Sequence, residues 1–251
     1  MRTLIGLRYS PWSERARWAL DHHRLAFRFV DHVPMLGEPL LRLRARRLRG
    51  RVTVPLLLEE DGSVFMDSLA IARHADACGA APKLIPDELA GDIESWNALA
   101  EDALVVARKW VVKRTGESED AMRASLPKVL RNAPGALASA KLGVAFFQRK
   151  YELDLLDPSK APLVRFLDQL RKALGVGGRE RAYVLGSELT YADVLAATTL
   201  QCVRPVAAEH WRIDPALVPI WTDDDLAAKY ADLLAYRDRI YGLHRKAAAS
   251  P

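Results

Sequence analysis

The sequence predicts two domains, an α/β domain over residues 1–80 and an all-helical domain over residues 88–251. Short apolar segments bounded by turn residues, the pattern of β-strands, occur only in the first 80 residues. The segment from Pro82 to Pro86 is typical of a linker, and beyond it apolar residues recur at helical spacing. With 251 residues, the chain is long enough for each half to bury a core.

Two turn signals set the order of elements in the α/β half. Ser10-Pro11 separates the first apolar segment from a helical pattern, and the turn residues 60–63 join two apolar segments as a β-hairpin. The predicted strands cover residues 3–9, 27–30, 52–58 and 64–66, and the predicted helices cover residues 11–23 and 69–79. The expected order is therefore β-α-β, a loop or helix, and then β-β-α.

The second half contains helix-forming residues at helical spacing, divided by proline and glycine. The predicted helical segments lie near residues 90–114, 119–150, 160–174, 190–208 and 223–246. Strand signals nearly vanish there, so an all-α bundle is expected.

Composition excludes several classes of protein. Half of the residues are hydrophobic and 27% are charged, which is typical of a globular protein. Two distant cysteines, Cys78 and Cys202, predict neither a disulfide framework nor a four-cysteine zinc site, and the six histidines show no paired ligand spacing, so no metal is expected. The apolar stretch at the N-terminus is too short for a signal peptide, and no apolar run in the sequence is long enough to span a membrane. A cytoplasmic protein is the expectation.

The net charge of +5 permits an anionic ligand without indicating nucleic acid. A concentrated run of arginines has two interpretations, a solvated and partly helical face or part of an anion site. It comprises Arg42, Arg44, Arg46, Arg47, Arg49 and Arg51. No aromatic residues alternate with these arginines, which disfavours base stacking and leaves nucleic acid unexpected.

Four short motifs along the chain, taken in sequence order, carry a resemblance to a known family. They are SPWSERARWAL from Ser10 to Leu20, Val54-Pro55 ahead of the hairpin, Asp67-Ser68-x-x-Ile71, and Thr190-x-x-Asp193. Together they resemble glutathione transferases, in particular the serine-type tau, omega and zeta-like classes. The resemblance implies a thioredoxin-like glutathione-binding domain, an all-helical second domain and a homodimer.

Physical chemistry supports a role for Ser10 at the start of the first helix. Pro11 fits the first helical position, which makes Ser10 the natural N-cap beside the positive end of the helix dipole. A thiol placed there is favoured as its thiolate, so Ser10 is expected to donate to the sulfur of bound glutathione. Ser13 and Tyr9 are the rival donors, and Ser10 as a plain N-cap is the structural alternative.

The resemblance also assigns residues to the peptide part of glutathione. It implies that Val54, before a cis-Pro55, pairs with the cysteinyl amide, although a trans-proline on an edge strand is the alternative. It gives Asp67 the γ-glutamyl amino group and Ser68 the γ-glutamyl carboxylate, while Ser68 as a simple N-cap remains open.

The partner of the glycine carboxylate is less well defined by the sequence. Arg51 is the first candidate, followed by Arg47 and Arg49, because basic residues between the second and third strands usually take this role. The chain departs from the family pattern at Thr53, where many members carry a basic or amide residue.

The resemblance predicts an enzyme that transfers the sulfur of glutathione, its co-substrate, to a hydrophobic electrophile, as in detoxification. The pocket for that electrophile is expected to include Trp12, Val106, Trp110 and Arg114, although aromatic residues at helical spacing are more often core. A serine forms no mixed disulfide, so cysteine-type thiol transfer is disfavoured. Two alternatives remain, a glutathione-dependent isomerase or dehalogenase and a binding or regulatory protein without turnover.

Overall fold

Four short strands form one mixed sheet in the first part of the chain. The computed structural model describes residues 1–47, 49–154, 159–175 and 181–245. The strands are β1 (Thr3–Gly6), β2 (Arg28–Asp31), β3 (Leu56–Leu58) and β4 (Val64–Met66). Their order in the sheet is β2-β1-β3-β4, with β1 parallel to β2 and antiparallel to β3, and β3 antiparallel to β4.

Eleven α-helices are present in the described part of the chain. Three belong to the sheet-containing half: α1 (Pro11–His22), α2 (Glu38–Arg44) and α3 (Ser68–Cys78). The others are α4 (Ala90–Glu117), α5 (Glu119–Ala124), α6 (Ala136–Tyr151), α7 (Ala161–Ala173), α8 (Tyr191–Thr199), α9 (Val218–Trp221), α10 (Asp224–Lys229) and α11 (Ala231–His244). The segment predicted near 119–150 divides into α5 and α6 because Pro127 and Pro134 interrupt it.

Two strands are shorter than the apolar pattern predicts. The first ends at Gly6 because the chain turns at residues 7–10 to start α1. The third begins at Leu56 because the Val54–Pro55 peptide bond is cis and Pro55 has no N–H for the sheet. The trans-proline alternative for Pro55 is therefore wrong.

The register of the sheet brings three segments to one edge. Ile5 of β1 lies opposite Leu56 of β3, and Leu56 lies opposite Met66 of β4. The end of β1, the start of β3 and the end of β4 therefore meet there. The segments next to these strand ends carry Ser10, Val54–Pro55 and Asp67–Ser68.

A continuous apolar core extends through both halves of the chain, with α1 at its centre. The fully buried Trp18 of α1 packs edge-on against Tyr241 of α11, with ring centroids 4.8 Å apart. Arg245, just after α11, donates from Nε to the buried Glu14 carboxylate at 2.7 Å. Apolar packing and this buried ion pair hold the helical half against α1.

Three shielded histidines predict a loss of stability in weak acid. Burial is the largest influence on His22, His32 and His244, and it lowers the pKa of each below its ordinary value of 6.5. The unfolded chain therefore binds more protons than the folded protein as the pH falls through about 6.5, so the free energy of unfolding decreases.

We expect the urea midpoint to be lower at pH 5.5 than at pH 7.5. Replacing the two half-buried histidines together, His22→Gln with His244→Gln, is expected to reduce this difference because glutamine does not titrate. Urea unfolding followed by circular dichroism measures both effects. An identical pH difference in the double variant would contradict the assignment.

Candidate functional site

A cavity of about 300 Å³ lies between the sheet-containing half and the helices. Its walls come from the start of α1, the segment after β2, and one face each of α4 and α6. Most of the lining side chains are apolar, among them Trp12, Leu104, Val111, Val144, Phe147 and Trp221. The cavity can therefore hold an apolar small molecule next to the start of α1.

Ser10 lines this cavity at the N-cap position of α1. Its backbone is extended, its carbonyl accepts the N–H of Glu14 at 3.0 Å, and Pro11 occupies the first helical position. Its hydroxyl makes no capping hydrogen bond and has no hydrogen-bond partner among the described residues. Ser10 is therefore an N-cap by position only, and its hydroxyl is able to form a hydrogen bond with a ligand in the cavity.

The two rival donors differ in placement. Tyr9 also lines the cavity, and burial raises the pKa of its phenol to about 12, so at neutral pH the hydroxyl can only act in its protonated form. Ser13 is fully buried and its Oγ accepts the N–H of Leu7 at 3.1 Å. A Cβ at Gly6 would come within 2.7 Å of that Oγ. Ser13 therefore faces the backbone after β1, away from the cavity.

Val54 lies on the cavity wall directly before the cis bond to buried Pro55. The N–H and C=O of Val54 take no part in a strand, because β3 begins at Leu56. A peptide-like ligand can therefore pair with this short stretch of backbone at the edge of the sheet.

Asp67 and Ser68 form the start of α3 at the same edge. The N-cap is Asp67, whose Oδ1 accepts the N–H of Ala70 at 2.8 Å, so the alternative that Ser68 is the N-cap is wrong. Asp67 is exposed and has a positive φ of 68°, in the left-handed region that residues other than glycine rarely adopt. Ser68 is 3% exposed, in the first turn of the helix.

The arginine run is mostly a solvated surface. Arg42 and Arg44 belong to α2, and Arg47, Arg49 and Arg51 are exposed beyond it. Arg51 lies near a residue of the cavity wall, with its guanidinium carbon 5.9 Å from the centroid of the Tyr151 ring.

Trp12 is fixed in the cavity wall by a carboxylate from the helical half. Its indole N–H donates to both Glu101 oxygens at 2.8 Å, and Arg15 donates to Glu101 at 2.6 Å. The fully buried Arg15 also donates to the hydroxyls of Thr198 and Thr199 in α8. This network joins α1, α4 and α8 beside Ser10.

The structure corrects three expected pocket residues. Of the four, Trp12 lines the cavity, whereas Val106, Trp110 and Arg114 do not. Trp110 is buried in the core, and Arg114 donates to the Thr222 carbonyl at 2.7 Å. The stripe of α4 that faces the cavity comprises Leu104, Arg108, Val111, Val112 and Thr115. The expected helix is present, but a different face of it meets the cavity.

Sequence reasoning missed Arg108 and Tyr151, which both line the cavity. The Arg108 guanidinium lies 4.2 Å from the Trp12 ring centroid and 4.1 Å from that of Tyr151. An available signal was a single charged residue in an apolar stripe of α4, at helical spacing from Leu104 and Val111.

Cys202 also lines the cavity, but it is a poor nucleophile. Burial raises the pKa of its thiol to about 12, so the thiol stays protonated at neutral pH.

Among the described residues, no three His, Cys, Asp or Glu side chains are grouped closely enough to hold a metal ion. In the same part of the chain, every helix is too short or too polar to cross a lipid bilayer.

Two family models match the chain in sequence order. The N-terminal domain of glutathione S-transferases matches residues 9–78, and the C-terminal domain of the same family matches residues 154–239. The chain belongs to the glutathione S-transferase family. The N-terminal match includes Ser10, Val54, Pro55, Asp67 and Ser68, and thus the edge of the sheet described above.

A probable glutathione S-transferase from Solanum tuberosum is similar to part of this chain. The two are 29% identical over 85 residues, which are 34% of this chain and 37% of the potato protein. The aligned part thus spans little more than a third of that relative.

Solved structures agree in fold at low sequence identity. A glutathione S-transferase from Methylobacterium radiotolerans, in complex with glutathione sulfonate, is 18% identical, with a TM-score of 0.59 over 100% of this chain and 97% of that one. One from Ceriporiopsis subvermispora, in complex with glutathione, is 16% identical, with a TM-score of 0.58 over 92% and 97% of the two chains. The predicted fold class, a thioredoxin-like domain followed by a helical domain, is confirmed.

Proposed function

We propose that this glutathione S-transferase holds glutathione as a thiolate beside Ser10 and transfers its sulfur to an electrophilic carbon of an apolar small molecule. One observation carries the proposal. The Ser10 hydroxyl has no hydrogen-bond partner among the described residues, although it stands at the N-terminus of α1 and lines an apolar cavity. A thiolate at this position would accept a hydrogen bond from the Ser10 hydroxyl and would lie in the positive field of the helix dipole.

The reaction needs no nucleophile from the protein. The thiol proton leaves to solvent, the sulfur lone pair forms a C–S bond, and the leaving group departs with the electron pair of the broken bond. Ser10 stabilises the thiolate, while the cavity orients the electrophile and excludes water. The glutathione itself supplies the reacting atom.

The edge of the sheet offers groups that suit the peptide part of glutathione. The Val54 backbone would pair with the cysteinyl amide, and the exposed Asp67 carboxylate would take the positive γ-glutamyl amino group. Ser68, in the first turn of α3, would donate to the γ-glutamyl carboxylate. Arg51, on the cavity side of the arginine run, would meet the glycine carboxylate.

We expect bound glutathione to titrate below about 7.5, against about 8.5 for a free thiol. The measurement is the ultraviolet difference absorbance of glutathione thiolate as a function of pH in the presence of the protein. Binding with an unshifted thiol would contradict activation by Ser10. Absence of binding would contradict the transferase and favour an interaction protein.

Family membership supports three further parts of this proposal. They are a homodimer, a cytoplasmic location with a role in detoxification, and a place among the serine-type classes related to tau, omega and zeta. Light scattering of the purified protein tests the first, with twice the mass of the 28.0 kDa chain as the expected result.

A further inference from the structure

The guanidinium of Arg108 lies between two aromatic rings in the cavity wall. Trp12 comes from α1 and Tyr151 from the end of α6, and both ring centroids are close to 4 Å from the guanidinium carbon. Both distances are within the range of cation–π interactions, which restrain the guanidinium while its N–H groups stay able to donate to a ligand.

Arg108 lacks the partner that buried arginines in this protein have. Arg15 donates to Glu101, and Arg245 donates to Glu14. Within the described residues, Arg108 is half-buried and donates no hydrogen bond to any carboxylate or carbonyl. The nearby Glu101 already accepts hydrogen bonds from Trp12 and Arg15. Arg108 is therefore a partly desolvated cation that no described carboxylate pairs with by a hydrogen bond, and Glu101 attracts it only through space.

The electrostatics of its surroundings favour an added negative charge. Burial is the largest influence on Arg108 and lowers its pKa, even though the negative charge of Glu101 acts in the opposite direction, so the surroundings disfavour the charged guanidinium. The Arg51 guanidinium carbon also lies near Tyr151, 5.9 Å from the ring centroid, and its charge adds positive potential at Arg108. An anion beside Arg108 would offset both effects.

Most of the other residues in the cavity wall are apolar. Leu104, Val111 and Phe147 lie on the same faces of α4 and α6 and offer only apolar surface. Among the described residues that line the cavity, Arg108 is the one that carries a charge, and a mostly apolar cavity with a cation in its wall is the arrangement that recognises an amphipathic acid.

We propose that Arg108 is a specificity residue that pairs with a carboxylate on the second substrate, so that the preferred electrophile is an apolar molecule bearing one anionic group. This inference rests on the proposed function and names the substrate class of its cavity. The planar fork of N–H groups matches the two oxygens of a carboxylate. The carboxylates of glutathione itself are assigned elsewhere, to Ser68 and Arg51.

Binding of an unreactive pair of compounds tests the inference without requiring turnover. The probes are 3,5-dinitrobenzoate and its methyl ester, which share a ring and differ in charge. Their Kd values are measured by calorimetry with the full chain, with and without saturating glutathione. We expect the acid to bind more tightly than the ester.

The deciding variant is Arg108→Met, which keeps an unbranched side chain and removes the charge. We expect the Kd of the acid to rise about tenfold or more, as for loss of a charge-assisted hydrogen bond, and the Kd of the ester to change less than about twofold. Arg165→Met is the control, because Arg165 is exposed on α7 and lies outside the cavity. It removes the same charge and should change neither value.

Two results would overturn the assignment of Arg108, and a third would distinguish it from the proposed transferase function. An unchanged Kd of the acid in Arg108→Met would overturn the inference. A raised Kd of glutathione in place of the acid would also overturn it, because Arg108 would then hold glutathione. Arg108-dependent binding of the acid by a protein that binds no glutathione would retain the anion site and refute the transferase.

Discussion

The Ser10→Ala variant is expected to lose about 100-fold in kcat/KM for transfer of glutathione to an aryl halide. The Ser10 hydroxyl makes no capping hydrogen bond at the start of α1, and removal of a single donor to a catalytic anion typically has an effect of this size. The pKa of the bound thiol should return toward the free value of about 8.5. The Kd of glutathione should change only a few-fold, because the peptide contacts remain.

Two neighbouring hydroxyls provide matched comparisons. Ser13→Ala removes a hydroxyl from the same helix, but its Oγ is occupied by the Leu7 N–H, so the thiol pKa should stay low. Tyr9→Phe removes the other hydroxyl of the cavity wall. If the thiol pKa were unchanged in Ser10→Ala and raised in Tyr9→Phe, Tyr9 would be the donor and the assignment to Ser10 would be wrong.

The Asp193→Ala variant is expected to lower the free energy of unfolding by about 3–5 kcal/mol, the largest stability effect that the structure predicts. The Asp193 side chain is fully buried at the start of α8 and completes the capping box with Thr190. Its carboxylate accepts the N–H groups of Thr190 and Val184 at 2.8 Å and the Tyr236 hydroxyl at 2.6 Å. Removal leaves these buried donors without partners.

Urea unfolding of two further variants keeps this prediction testable if Asp193→Ala does not fold. Tyr236→Phe removes one donor to Asp193 and should cost about 1 kcal/mol. Asp102→Ala removes an exposed carboxylate from α4 and should stay within about 0.5 kcal/mol of wild type. An equal effect of the Asp193 and Asp102 substitutions would show that the buried network contributes no stability.

Local sequence signals predicted the parts of the site that depend on a few consecutive residues. Ser10-Pro11 predicted the start of α1, and Thr190-x-x-Asp193 predicted the start of α8, because capping involves groups within one turn of helix. Asp67-Ser68 marked the start of α3 for the same reason, although the N-cap is Asp67 and the alternative of Ser68 as a simple N-cap was wrong.

The side chains that line the cavity were predicted less well. Trp110 and Arg108 are two positions apart on α4, which places them about 200° apart around the helix axis. The apolar residues on both faces of α4 permitted either face to meet the cavity, and packing against α6, α7 and α8 selected the face of Arg108. Ser13 had a suitable residue type and position for a donor to the thiol, but its hydroxyl oxygen accepts a hydrogen bond from the Leu7 N–H.

The sequence by itself determined the division into an α/β half and a helical half, the starts of α1, α3 and α8, and the candidate set Ser10, Val54, Asp67 and Ser68. These follow from hydrophobic periodicity, turn chemistry and motifs. Each of these signals depends on residues close together in the sequence, or on the order of motifs along the chain. The tertiary structure alone decided that three strand ends share one edge of the sheet, and that Trp12 and Tyr151 enclose Arg108. Those facts depend on strand register and on the rotation of packed helices, which join residues distant in the chain.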